Sequence, residues 1–114
     1  MLRSTLKLLV ILASFSSLAA CGGGDEGPDC TDTAAQMRGS MVIATSCTGC
    51  HSEASANRMS APPNVNFDDA ADIDMHETRI RARAINNVPS VMPPTGALSA
   101  SQKSDLEAYL DCRE

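Results

Sequence analysis

Cys47, Cys50 and His51 are the side chains of this sequence best placed to do chemistry together. They stand in the run Cys47-Thr48-Gly49-Cys50-His51. Two thiols at this spacing can form thioethers with the two vinyl groups of a haem, and the histidine beside them can ligate its iron. A redox-active C-x-x-C of the thioredoxin kind would open a helix after a strand, and no segment before Cys47 alternates as a strand does. A zinc site would need two further ligands, and Cys30, His76 and Cys112 show no zinc-ribbon spacing. One covalently attached haem c is the expected cofactor. His51 is expected to bind iron through Nε2 while its Nδ1–H donates to a carbonyl that fixes the ring.

The beginning of the chain places this chemistry outside the cytoplasm. Residues 1–20 combine Arg3 and Lys7, an apolar run from Leu8 to Ala13, and Leu18-Ala19-Ala20 directly before Cys21. This is the pattern of a secretory signal peptide. Its apolar run is shorter than the about 20 residues that cross a bilayer. Leu18-Ala19-Ala20-Cys21 resembles the lipobox of bacterial lipoproteins, which implies a lipidated Cys21 as the mature N-terminus. The alternative is cleavage after an Ala-x-Ala-like site, with Cys21 left as a thiol. Residues 21–29, rich in glycine and acid, read as a flexible tether, and residues 30–114 as one domain. Lipid chains contribute about 0.8 kcal/mol per buried CH₂, so several on one residue anchor a protein without a spanning helix. Gly22 stands where some lipoproteins carry the aspartate that retains them at the inner membrane. An anchored protein facing the periplasm is therefore expected, with the outer membrane preferred.

The chain has 114 residues, so it holds one domain at most. Aromatic side chains make up only 3%, with Phe15, Phe67 and Tyr109 and no tryptophan. A small core so poor in rings needs covalent staples or another large apolar body. Without residues 1–20 there remain seven basic and fourteen acidic side chains, a net charge of −7. That balance excludes the basic patch of a nucleic-acid binder, and 43% hydrophobic content is that of a globular domain, not a disordered one.

Three helices are expected, and no strand. The first runs from about Thr33 to Ser46 with Asp32 as N-cap and Ala34, Met37, Met41, Val42 and Thr45 on its buried face. The second opens on an Asp74-x-x-Glu77 capping box, buries Ile80, Ala84 and Ile85, and ends at Asn87 and Pro89. Its arginines, Arg79, Arg81 and Arg83, could face a haem propionate or solvent, and solvent is the expectation. The third opens at Ser99 with Gln102 three residues on and buries Leu106, Tyr109 and Leu110. Residues 52–73 form a connection so long that it argues against a compact domain, unless it packs against a porphyrin.

From about Thr33 to Leu110 the chain resembles the class I monohaem cytochrome c domain. Gly39-Ser40-Met41-Val42-Ile43 ahead of the C-x-x-C-H run is similar to the family's first helix. Met92-Pro93-Pro94 with Gly96 resembles its methionine-ligand segment, and Leu106-Glu107-Ala108-Tyr109-Leu110 its terminal helix. The resemblance implies an all-α fold, small helices and long loops wrapped around the haem. It implies Met92 as the second axial ligand, framed by Pro89, Pro93 and Pro94, with His76 as competitor. Met59 and Met75 lack such a frame. Pro63-Asn64-Val65 is similar to the family's Pro-x-Leu segment, which makes the Pro63 carbonyl the partner of His51, with Pro62 as a rival. Because the first and last helices cross in this fold, a Cys30–Cys112 disulfide is expected, allowed by export. The implied function is electron transfer without catalysis, between redox protein donors and acceptors, as a lipid-anchored carrier or a subunit of a larger oxidoreductase. A haem sensor or enzyme with an open or displaceable distal position is the alternative, and a thiol-redox lipoprotein a third.

Overall fold

The computed structural model describes residues 28–113. Residues 1–27, where the signal peptide, the lipidated Cys21 and most of the tether are expected, lie outside the described residues, as does Glu114. The described chain is all-α: α1 (Thr33–Val42), α2 (Ala70–Ile80) and α3 (Ala100–Cys112), with no strand among the described residues. None of these helices is long and apolar enough to cross a membrane. α1 continues without a break into a π-helical turn, Ile43–Cys47, and α2 into another, Arg81–Ile85. Such turns carry one extra residue and shift the register of the next turn.

Each helix starts where a short polar side chain satisfies its free N–H groups. Asp32 accepts from the Ala35 amide at 2.9 Å. Ser99 and Gln102 form a reciprocal capping box. α2 begins at Ala70, ahead of the expected start at Asp74, because Asp69 accepts from the Ala71 amide at 2.9 Å. Asp74 and Glu77 do not cap. They pair instead with Arg113 at 2.9 Å and Arg81 at 2.7 Å.

The core gathers Val42, Ile43, Ile73, Ile80, Ala84, Leu98, Leu106 and Leu110, with Phe67, Tyr109 and Cys47 packed at its edge. Among the described residues, Leu106 alone is completely sealed. The buried stripe of α1 is Ala35, Gly39 and Val42, continued by Ile43. Met37 and Met41 were expected inside and instead are 68% and 60% exposed. Ala34 and Thr45, expected on the same face, are exposed as well. The reason is Gly39. α3 crosses α1 so closely there that a Cβ on Gly39 would run into the Asp105 carbonyl oxygen. A residue without a side chain thus marks the contact face, and hydrophobicity does not register it. Beside the crossing, Arg38 grips Asp105 with two bonds of 3.0 Å, and Arg81 joins Asp111 of α3 at 2.6 Å.

Cys30 and Cys112 are disulfide-bonded, their Cα atoms 5.3 Å apart and their positions 82 residues apart. The bond ties the entry to α1 to the end of α3. Closing a loop of this length stabilises by about 4 kcal/mol in the chain-entropy account. A Cys30→Ser/Cys112→Ser protein is expected to unfold at a lower urea midpoint by that order, and equal midpoints would show the bond to be energetically idle.

Candidate functional site

The C-x-x-C-H run lies where the first helix ends. Thr48 N–H reaches the Ile43 carbonyl at 3.2 Å and closes the π turn, and the Cys47 carbonyl then accepts from Cys50 N–H at 3.2 Å and His51 N–H at 2.9 Å. This last turn brings Cys47, Cys50 and His51 together at the i, i+3 and i+4 positions of one face. All three are half-buried and line one cavity of about 390 Å³. Both sulfurs thus stand where the first helix ends. Burial pushes the Cys47 thiol up to about 11. A thiol–disulfide catalyst needs the opposite.

His51 Nδ1 lies 3.3 Å from the Val65 carbonyl, so Nδ1–H donates there and the Nε2 lone pair is left free. Burial lowers the imidazole's affinity for protons. The Val65 carbonyl works against that shift, and the positive charge of Arg58 and the neighbouring His76 add to it. Phe67 packs on the ring at 4.7 Å between centroids, and its own N–H holds the His51 carbonyl at 2.7 Å. Pro63, the expected partner, is exposed, and its carbonyl accepts from Asn66 Nδ2 at 3.2 Å. A turn closed by Val65 N–H to the Pro62 carbonyl leads the chain on, so the buried Val65 is the residue that faces His51.

Arg58, absent from the site expected on sequence grounds, organises this connection. It donates to the carbonyls of Ala61, Pro62, Val65 and Ser52 and to Asn66 Oδ1. The loop that length alone made improbable is thereby tied around one guanidinium. Ser52 Oγ to Asp68 at 2.8 Å and Asn66 N–H to Asp72 at 2.8 Å fasten it to the start of α2.

Met92 comes to the same cavity from the segment after α2. The C-terminal carbonyls of that helix, which have no intrahelical partners, hold the segment. Ala82 accepts from Val88 N–H at 2.8 Å and Arg83 from Met92 N–H at 3.1 Å. Asn87 between them takes the left-handed conformation, φ 59°, which asparagine tolerates. Met92 and Pro93 are half-buried. Met59 also lines the cavity but is 55% exposed, and Met75 is 74% exposed and away from the cavity wall.

α2 and its π turn contribute a second wall through His76, Arg79, Ile80, Arg83 and Ala84. His76 Nε2 is buried without a hydrogen-bond partner, next to Phe67 at 6.4 Å between rings. Of the three arginines here, Arg81 is ion-paired away from the cavity. Arg79 and Arg83 line it and, among the described residues, have no ion pair. The expectation that these side chains face solvent is thus corrected for Arg83, which is half-buried. The walls of this apolar cavity thus carry imidazole nitrogens, thioethers and two thiols, groups able to ligate a metal or bond a cofactor, and two guanidinium groups able to pair with carboxylates. No protein-family model, curated protein or solved structure matches the chain.

Proposed function

We propose that the protein is a monohaem c-type cytochrome of the class I kind that carries single electrons between exported or membrane redox proteins, tethered through a lipidated Cys21. One observation carries this reading. Cys47, Cys50 and His51 share one face of a helical turn and open onto the cavity that Met92 also lines. Bound there, haem iron would alternate between ferric and ferrous states and so exchange one electron at a time.

The residues present fit such a group. Cys47 and Cys50 would hold it by thioethers, and His51 Nε2 and Met92 Sδ would ligate its iron, the ligand set associated with raised potentials. Arg79 and Arg83 supply positive charge for its carboxylates, and the orphaned His76 Nε2 gains the chance of a partner. Pro93, Ile80, Ala84 and Phe67, which line the cavity, would exclude water from the ring. With both His51 and Met92 bound to the iron no position would remain for a substrate, which supports a carrier over a catalyst.

Met92→Ala tests the assignment. The variant is expected to keep covalent haem and lose the weak far-red absorption of a methionine–iron bond. Its potential should fall by more than about 59 mV, a tenfold change in a one-electron equilibrium. An unchanged spectrum would remove Met92 from the iron.

A further inference from the structure

We infer that Arg58 is a positioning residue that sets the electron-donating strength of His51, because its guanidinium and the His51 ring bind the same Val65 carbonyl oxygen. The inference rests on the haem reading and extends it to a residue outside the ligand set.

Arg58 Nη2 lies 3.0 Å from the Val65 oxygen, and His51 Nδ1 lies 3.3 Å from it. A carbonyl oxygen has two lone pairs and can serve both donors. A bond from a cation is the stronger of the two kinds, and here it is also the shorter. The oxygen therefore has less electron density to offer the imidazole N–H. A weaker Nδ1–H···O bond leaves the ring less imidazolate-like, and the hydrogen-bond partner of a ligating histidine is what tunes its basicity. The ring would then stabilise ferric iron less. A fixed positive charge nearby acts in the same direction, since it favours the state of iron with one positive charge fewer.

The guanidinium is not free to leave. Its other bonds reach Ser52, Ala61, Pro62 and Asn66, on both sides of the Val65 turn. Arg58 is half-buried, so solvent screens it incompletely. A lysine could keep the charge but not the fork that spans these acceptors. Charge and hydrogen bonding are thereby separable in the two variants.

Haem-loaded wild type, Arg58→Gln and Arg58→Lys proteins are compared by redox titration and by the proton resonance of His51 Nδ1–H in the reduced, diamagnetic state. Arg58→Gln is expected to shift the one-electron equilibrium toward the oxidised form by about tenfold, or about 59 mV. Its Nδ1–H resonance should move downfield as the Val65 bond to His51 strengthens. Arg58→Lys, which retains the charge, should fall between the two in potential with the same downfield movement. If Arg58→Gln fails to fold, Arg58→Lys decides alone. A folded, haem-loaded variant with wild-type potential and an unmoved Nδ1–H resonance overturns the inference while leaving the haem reading intact. A wild-type protein without covalent haem overturns both.

Discussion

A Cys47→Ala/Cys50→Ala protein is expected to leave the cell's export and maturation pathway with no covalent haem, and with much of its helical structure lost. The first effect is chemical. Removing both sulfurs would remove both proposed thioether bonds and leave only coordination by His51 and Met92 to hold the group. Intact mass and the absorption of the denatured protein read it directly. The second effect is one of packing. The core cluster has eight buried side chains, of which only Leu106 is completely sealed, and it borders a cavity of about 390 Å³. A group that binds the folded state and not the unfolded one stabilises it by mass action, about 4 kcal/mol at a thousand times its dissociation constant. Covalent attachment, as proposed, would hold the group in place permanently. Loss of far-UV helical signal in the variant is the expected reading. Native helicity without haem would show that the polypeptide alone supplies the stability.

Gly39→Ala is expected to destabilise by about 3 kcal/mol or more, the upper part of the range for overpacking. The new methyl group would run into the Asp105 carbonyl oxygen, and would lie 2.8 Å from the carbonyl carbon and 2.5 Å from Tyr109 Cβ. The Asp105 atoms belong to the backbone of α3, and no side-chain rotation relieves them. The helices must separate, which strains the Arg38–Asp105 fork and opens the seal over Leu106. Against a typical total of about 5–15 kcal/mol this is a large share. Gly39→Ala should lower the urea midpoint strongly while leaving the haem spectrum of the remaining folded protein unchanged. A wild-type midpoint would mean that α1 and α3 do not cross at this residue.

The parts of this architecture that are local in cause were legible in the sequence. Asp32, Ser99 and Gln102 act as caps because a cap needs only the next three residues. Ile80, Ala84, Leu106 and Leu110 are buried where helical periodicity puts them. The C-x-x-C-H run folds into a single turn for the same reason. Close approach between distant segments left no such trace. Met37 and Met41 carry the hydrophobicity of α1, yet α3 docks on the face marked by Gly39. The earlier start of α2 rests on Asp69, which a stronger-looking Asp74-x-x-Glu77 pattern masked. Val65 replaces Pro63 opposite His51 because the turn between them fixes which carbonyl points inward. Arg58 gives no periodic signal, since its five acceptors are mostly backbone oxygens. The π turns are equally silent, because an extra residue in a turn barely alters the spacing of Val42, Ile43 and Cys47.

The most direct test is to export the wild-type chain in a host with haem c maturation machinery and record the absorption spectrum of the oxidised protein. The expected result is haem that stays with the polypeptide through denaturation, and a weak far-red band from the Met92–iron bond. Absence of covalent haem contradicts the central claim outright. Covalent haem without that band, with carbon monoxide binding to the reduced protein, contradicts the closed six-coordinate carrier.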